Sequence, residues 1–383
     1  MGSAIARGRP RVLTGHLSAE ILRTREEFEN LRRDWELLFD RTSGCYVYQS
    51  FLFNFIWWKH FAKTEELAII TVREANTLVG LAPLMTRNRL GVPQIEPIAS
   101  DQYAFFGLLI PDGRDDIAQA IGRKLVEAFP KGLLHIPYYG AGDRTVELVL
   151  ADLTANGWHK RCWVRNVCHY IWETGGFDSY FSKKSQKARY NFNREQRILD
   201  KSGFNVYSHY ACSPSDVGVV DRIARLQRKS WLARRGQESL DSPFYRELIP
   251  AIGEVFFLSS NHEDIGFILN LRSPGCTHCA YIGFDEKFSA LSPGKVLMGH
   301  CIQRLLDRGE KVYDFGFGEG EYKRFWANRT KYVLRGVCYR GLRGWILSWI
   351  PHRLHGVLSK SAVLRSLLNR ARKTRREFRR WRS

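Results

Sequence analysis

Asp314, Glu319, Glu321, Tyr322 and Lys323 lie within ten residues of one another, in the stretch "KVYDFGFGEGEYKRFW" (311–326). Two or three carboxylates, a phenol and an amine gathered at the end of a strand are the residue types for moving a proton at a reacting centre. The same letters also spell D-F-G and G-x-G-x-G, two nucleotide-handling triplets. A kinase would need a Gly-rich loop near the N-terminus, a V-A-I-K lysine, an H-R-D loop before D-F-G and A-P-E after it; the chain has none of them. A dinucleotide fingerprint would turn a strand into a helix near the start of a βαβ unit, with an acid about 20 residues on. Here the glycines come late and are interleaved with Glu319 and Glu321, which repel phosphate. What remains is a strand ending at Asp314, a Gly-rich turn carrying two carboxylates, and a short helix with Tyr322, Lys323 and Trp326. Taken alone, these residues equally fit a solvated acidic loop tip with an aromatic packed inward.

The elements that must position this cluster follow from pattern. Residues 277–285 read as a strand, 286–295 as a loop, 296–309 as a helix with Val296, Leu297, Ile302, Leu305 and Leu306 on one face and Gly309 as its stop, and 311–316 as a strand. Strand, loop, helix and strand belong to an α/β or α+β sheet. The loop entering the helix, Ser292-Pro293-Gly294-Lys295, can cradle a phosphate on backbone N–H groups; its plain alternative is a helix start with Pro near N1 and a lysine in solvent. One theme occurs twice. Residues 66–87 and 254–272 both read as strand, polar turn, strand, with Gly80 and Gly266 in matching places, and helical stretches at 26–61 and 213–233 precede them.

A chain of 383 residues suits two domains, and 44% hydrophobic with 26% charged residues describes a globular protein. The net charge of +20 is uneven: from Gly341 to Ser383 twelve Lys and Arg face one acid, Glu377, whereas the rest holds 47 basic and 38 acidic residues. The N-terminus has no continuous apolar segment of a secretory signal, and no run reaches the roughly 18 apolar residues of a membrane span, so a cytoplasmic protein is expected. Eight scattered cysteines fit reduced thiols better than a disulfide framework. Cys276 and Cys279 have C-x-x-C spacing around His278, but no second ligand pair exists; a reverse turn entering a strand is expected there, and no metal.

The spacing D-F-x-x-G-[DE]-x-x-Y-K-x-x-W, filled by Asp314, Phe315, Gly318, Glu319, Tyr322, Lys323 and Trp326, resembles the closing motif of the CelD/BcsL-type (BioF2-like) bacterial acetyltransferases. These are GNAT-like proteins related to the Fem peptidoglycan aminoacyltransferases. "FSKKSQKARYNFNREQR" (181–197) resembles the basic helix of that family, "SWLARRG" (230–236) its S-W-x-x-x-x-G segment and "SPGKVLM" (292–298) its helix entry. "YQSFLFNFIWWKHF" and "LVGLAPLMTR" resemble its N-terminal half. The similarity covers roughly residues 30 to 335, with four motifs in order.

The resemblance implies an α/β (α+β mixed sheet) fold of two tandem GNAT-like domains, 1–172 and a transfer domain at 173–340; outside it, residues 341–383 read as a basic amphipathic tail. It implies acyl transfer from acetyl-CoA or another acyl-CoA to an amine or hydroxyl acceptor, with an envelope glycan or polysaccharide precursor as the acceptor class. Ser292, Pro293, Gly294 and Lys295 would receive the pyrophosphate, and backbone N–H groups along 277–284 would hold the thioester carbonyl as charge develops. Asp314 or Glu319 would deprotonate the acceptor, Tyr322 or Tyr281 would protonate the thiolate, and Glu321 and Lys323 complete the cluster. Trp231 and Trp326 fall to the substrate side. The loop lacks the R/Q-x-x-G-x-G/A of GNAT enzymes, so the CoA assignment comes from the resemblance.

The basic helix, with Lys183, Lys184, Lys187, Arg189, Arg194 and Arg197, reads as a solvated face with Phe192 and Ile198 to bury. In the tail, Leu354, Val357, Leu358, Leu364, Leu367 and Leu368 recur at helical spacing among cations behind Trp345 and Trp349, the composition of a helix lying on an anionic bilayer at the inner face of the cell membrane, with a solvated or partner-binding tail and an RNA-binding one as the alternatives. Two other functions stand beside acyl-CoA transfer: a Fem-like aminoacyltransferase using aminoacyl-tRNA, with tRNA as the nucleic-acid partner of that alternative, and a non-catalytic GNAT-like module recruited to a membrane complex.

Overall fold

A computed structural model describes residues 16–349, apart from 90, 103, 212, 214–216, 235–238 and 261–262. The chain opens with β1 (Leu17–Leu22) and α1 (Arg25–Asn30), the latter started by a reciprocal cap between Thr24 and Glu27. α2 (Arg32–Arg41), a 3-10 turn at Val47–Gln49 and α3 (Phe51–Phe61), capped by Ser50, follow. The expected helical stretch 26–61 is thus three helices. β2 (Glu66–Leu67), β3 (Ile69–Glu74), β4 (Thr77–Ala82), β5 (Leu84–Arg89) and β6 (Val92–Pro97) come next. The β3–β4 hairpin turns on Ala75 and Asn76, both at positive φ, the twist a two-residue hairpin needs. Then α4 (Asp115–Ala128), β7 (Gly132–Gly140), α5 (Arg144–Ala155) and β8 (His159–Trp172) close the first half.

The second half begins with α6 (Gly176–Ser182), α7 (Gln186–Lys201), β9 (Val206–Ala211), α8 (Val217–Lys229), α9 (Trp231–Arg234) and α10 (Pro243–Ile252). It continues with β10 (Gly253–Ser259), β11 (Asp264–Ser273), β12 (Cys276–Phe284), α11 (Pro293–Asp307), β13 (Val312–Phe317), α12 (Glu321–Trp326) and β14 (Arg329–Arg340). A last helical segment occupies 342–349.

β1, β3 and β4 form a small sheet, and the other eleven strands form one mixed sheet in the order β2-β5-β6-β7-β14-β8-β13-β12-β11-β10-β9. The fold is therefore mixed α/β, a large sheet flanked by helices. The second strand expected within 66–87 is in fact two: the chain passes from β4 of the small sheet to β5 of the large one at Pro83, which has no N–H for a ladder and marks the crossing. β14 returns after α12 and inserts between β7 and β8, antiparallel to both, so the last strand of the described residues ties the halves together.

The repeated theme is present in the geometry. β6 and β7 are parallel and joined through α4; β12 and β13 are parallel and joined through α11. Gly80 lies under α4 and Gly266 under α11: a Cβ built on the first meets Ile117 of α4, and one on the second meets Leu297 of α11.

The three larger apolar clusters among the described residues fill the layers. Ile117, Ile121, Leu125, Val149 and Leu153 pack α4 and α5 on the first half of the sheet. Val296, Met298, Ile302 and Leu305 of α11 join Phe192 and Leu199 of α7 on the second. The opposite face is covered by α2, α3, α8 and α10, where Trp35, Phe53, Ile223 and Leu248 belong to one cluster. Each such buried side chain contributes about 1.5–3 kcal/mol. The seam is tied by Lys59 and His60 of α3, which both reach Glu247 of α10.

On α7 the buried pair is Phe192 and Leu199, seven residues apart on one stripe; Ile198, expected inside, is 45% exposed because it lies about 100° round the helix. Lys184 does not belong to a solvated face either. Its ammonium caps α12 by donating to the carbonyls of Phe325, Trp326 and Ala327, and burial lowers its pKa to about 8.

Each cysteine among the described residues, Cys212 being outside them, is a free thiol. A turn at Pro274 and Gly275 leads into β12 at Cys276. Among the described residues no group of three or more His, Cys, Asp or Glu side chains could hold a metal ion, and no helix is long and apolar enough to cross a membrane. The tail residues Leu354 to Leu368 lie outside the described residues; Trp345 and Trp349 lie within them, partly exposed.

Candidate active site

β12 and β13 pair in parallel at only three positions, Cys276–Val312, Thr277–Tyr313 and His278–Asp314. Past the last pair they part, while β12 continues along β11 with a bulge at Ala280. Asp314 stands where the strands separate. On its other side β13 leaves register with β8 between Asp314 and Phe317, where Gly316 takes φ +73° and a Cβ would come within 3.3 Å of His278. A glycine is required there on both counts, which accounts for the glycine of the D-F-G triplet without a nucleotide.

Asp314 is fully buried and fully engaged. Its Oδ1 accepts from the Gly316 amide at 2.8 Å and the Cys168 thiol at 2.9 Å; its Oδ2 accepts from the Lys331 ammonium at 2.8 Å. His278 Nδ1, buried and without a hydrogen-bond partner, lies 3.5 Å from Oδ1. The Tyr48 ring packs edge-on against His278 at 5.2 Å. Burial and the nearby Asp314 charge push the Tyr48 phenol and the Cys168 and Cys276 thiols upward, so all three stay protonated. Lys331 therefore supplies the countercharge. Its ammonium also donates to the Tyr46 hydroxyl and faces the rings of Tyr46, Phe105 and Tyr170 at 4.6, 4.6 and 5.3 Å. Burial among these rings pulls its pKa down to about 7.

The other predicted residues are distributed around this centre. Glu319 is exposed, bonded to His169 Nε2 at 3.1 Å and Arg324 at 2.8 Å, and these partners hold its carboxyl below the usual range. Glu321 is exposed on the first turn of α12. Tyr322 is half-buried, its ring 6.4 Å from that of Phe315. Lys323 is buried and clasps the turn, donating to the carbonyls of Gly316 and Phe317 at 3.2 and 2.6 Å; burial lowers its pKa. Trp326 is wholly buried against Phe192 and Phe181, which leaves it no surface for a substrate. Trp231 is partly buried against the core beneath α3 and α8.

The sheet divides the predicted cofactor residues. Tyr281 packs with the α3, α8 and α10 side and shares a 2.6 Å hydroxyl contact with Tyr245, whereas its neighbours Cys279 and Ile282 face α11. Ser292, Pro293, Gly294 and Lys295 form the start of α11 on the far side. Ser292, at φ +54°, reverses the chain, and the amides of Lys295 and Val296 turn back to its carbonyl. Gly294 packs under Phe284, and the Lys295 ammonium pairs with Glu195 of α7 at 2.7 Å, over the Phe325 ring. The first turn of α11 holds no acid. The cradle and the Asp314 centre thus lie on opposite faces, and the parting of β12 from β13 is the opening between them.

Residues 186–324, from the start of α7 into α12, match the acetyltransferase (GNAT) domain family. The chain has a GNAT-type acyltransferase fold. Its structure is similar to the crystal structure of FemX, at 10% identity over 83% of this chain and 98% of that one, with a TM-score of 0.61. It is also similar to L-PGS from Bacillus licheniformis (11% identity, 85% and 95% covered, TM-score 0.55) and to a conserved protein of unknown function from Bacteroides thetaiotaomicron (13%, 84% and 100%, TM-score 0.51). No curated protein sequence matches the chain.

Three residues of the Asp314 centre escaped the sequence reading: Lys331, Cys168 and Tyr46. None lies in a motif or within the matched domain. A signal for Lys331 was present in β14, where it alternates with Val333 and Val337, both buried, and so had to point at the core face.

Proposed function

We propose that this protein transfers an acyl group from an acyl-CoA thioester to an amine or hydroxyl acceptor, an envelope glycan precursor being the acceptor class, and that residues 173–340 carry the reaction. The observation that carries the reading is the parting of β12 and β13 at Asp314, beneath a helix whose first turn holds no acid. A pantetheine arm lying in that opening would have its phosphates toward Ser292, Pro293, Gly294 and Lys295 and its thioester beside the amides around the Ala280 bulge, which would stabilise the developing oxyanion. Tyr281 and Tyr322 are the candidate proton donors to the thiolate, and Asp314, Glu319, Glu321 and Lys323 surround the acceptor side. No covalent enzyme intermediate is needed. The finer likeness to the CelD/BcsL-type enzymes rests on the Asp314 to Trp326 spacing, and the 341–383 tail would hold the protein at an anionic membrane.

A second reading, aminoacyl transfer from aminoacyl-tRNA, is favoured by one feature: the helix entry is closed on itself, with Lys295 engaged by Glu195 and two amides returned to Ser292. Thermal-shift titrations with acetyl-CoA, longer acyl-CoAs and bulk tRNA separate the two. Stabilisation by an acyl-CoA and none by tRNA is the expected result; stabilisation by tRNA alone would transfer the case to the second reading.

A further inference from the structure

The acid best placed at the centre cannot itself touch an acceptor. Asp314 has no exposed surface, and its two oxygens are taken by the Gly316 amide, the Cys168 thiol and the Lys331 ammonium. Of the ion pair only the lysine reaches outward, with 22% of its side chain exposed against none for the aspartate. The groups around that ammonium come from four parts of the chain: Asp314 of β13, Tyr170 of β8, Tyr46 ahead of α3 and Phe105 ahead of α4. Asp314 is the one carboxylate that pairs with it among the described residues. Three aromatic faces stabilise a cation there without supplying a base that would drain its proton. The carboxylate fixes its direction, and Cys168 and Gly316 fix the carboxylate.

We propose that Lys331 is the catalytic residue that takes the acceptor's proton and that Asp314 is the residue that positions it and balances its charge, an inference that rests on the acyl-transfer reading. In the step, the acceptor's lone pair forms a bond to the thioester carbonyl carbon and its proton passes to neutral Lys331 Nζ. The C–S bond then breaks, Tyr281 or Tyr322 protonates the departing sulfur, and the Lys331 ammonium restores the tyrosine's proton. The net change, thioester plus H–X to acyl–X plus thiol, needs no further reactant. A lysine can serve only when uncharged near neutral pH, and the burial that lowers Lys331 to about 7 provides that.

Two measurements on the full chain test this. Competitive labelling of the unmodified protein with acetic anhydride, read at Lys331 by mass spectrometry, should show half-reaction near pH 7 and, at pH 7.5, labelling roughly a hundredfold faster than an ordinary lysine. Asp314→Asn, which removes the anion that favours the ammonium, should move half-reaction to lower pH. Half-reaction near pH 10, or no labelling at any pH, would overturn the proposal. The second measurement is thiol release from acetyl-CoA with glucosamine as probe acceptor. Lys331→Arg, which keeps charge and pairing but cannot give up its proton, should lose at least about a hundredfold in kcat, with acetyl-CoA affinity by calorimetry within a factor of two. A variant retaining more than a tenth of the rate would refute the role. Absence of turnover with any acyl-CoA would instead sink the acyl-transfer reading, and the labelling would still decide whether Lys331 is the proton-accepting group.

Discussion

In the N-terminal half β6 and β7 pair at Gln94–Leu133 and Ile95–Leu134 and then part; in the C-terminal half β12 and β13 pair at three positions and part at His278 and Asp314. Beyond the first parting the chain fills its own gap. β6 ends at Pro97, and the segment after it returns so that the Phe106 amide donates to the Tyr138 carbonyl of β7 and Leu109 bridges Leu81 of β4. Phe106 packs into the core under α4, and Phe105, on the other face, stacks on Tyr46 and closes the ring cage of Lys331. The helices differ in the same sense. α4 begins with Asp115 and Asp116, which suit a helix N-terminus but repel a phosphate, and α11 begins with Pro293, Gly294 and Lys295. Two corners of similar topology thus differ: one is filled and walls the Lys331 cage, and the other parts at Asp314.

The largest effect should come from pulling the filling out. Phe106→Ala would leave a cavity between β7 and α4 and cost about 3–5 kcal/mol, measured by urea denaturation, with no gain of acetyl-CoA binding in the first half. Binding of a second equivalent of acetyl-CoA by this variant would mean that the N-terminal corner is merely blocked and still competent.

Next in size is a buried acid on the other half. Glu254 of β10 is fully buried, gripped by both guanidinium nitrogens of Arg308 and by His209, and these partners outweigh burial to hold its carboxyl at about 2. Because the folded value lies below the unfolded one, the stabilisation is complete above pH 4.5 and is lost as pH falls from there toward 2. Its size at neutral pH is about 3 kcal/mol. Glu254→Gln should lower the urea midpoint at pH 7 and flatten the decline between pH 4.5 and 2. An unchanged acid limb would place the pH dependence elsewhere, with Glu96 in the first half, also held below its usual range beside Arg87 and His135, as the alternative.

Much of this comparison could be read before any coordinates. The strand, loop, helix and strand of the second half follow from apolar spacing at Val296, Leu297, Ile302, Leu305 and Leu306, and the matching glycines 80 and 266 follow from aligning two strand pairs. The path of β14 could not be read, because nothing in "RTKYVLRGVCYR" says that its neighbours are β7 and β8, more than 150 residues earlier. Lys331 meets Asp314 only through that insertion, Cys168 through the pairing of β8 with β13, and Tyr46 only through packing of the halves. Charge on Asp314, Glu319 and Lys323 was legible as residue type. That Asp314 is sealed, Glu319 exposed and Lys323 spent on clasping a turn depends on which face each occupies after the Gly316 irregularity, and local pattern does not carry that.

The matched glycines provide a smaller and cleaner contrast. A Cβ on Gly80 would lie 2.2 Å from Ile117 Cγ2, whereas on Gly266 its nearest neighbour is Leu297 Cδ2 at 3.6 Å, an ordinary contact. Gly80→Ala should therefore destabilise by about 1–3 kcal/mol through overpacking, and Gly266→Ala should stay within about 0.5 kcal/mol of the parent. Equal losses would mean that the two crossover helices sit on their strands at the same height, contrary to the geometry.

The smallest expected effects bear most directly on why the second corner is open. If Lys295 is held in reserve by Glu195, removing the acid should free it: Glu195→Gln is expected to tighten acetyl-CoA binding by about threefold to tenfold, roughly 1 kcal/mol, with a modest loss of Tm because a partly buried pair in the middle of α7 is broken. Lys295→Asp, made together with Glu195→Gln so that two acids do not face each other, makes α11 begin as α4 does, with an acid in its first turn. The acid favours the helix dipole, so the fold should hold, but it stands where a phosphate would approach, and affinity should fall about tenfold. Opposite signs in the two variants, read by calorimetry at low salt and diminished at high salt, would identify the start of α11 as the phosphate seat. If neither variant moves acetyl-CoA affinity, the donor does not use this helix entry, and the absence of acid from its first turn has another cause.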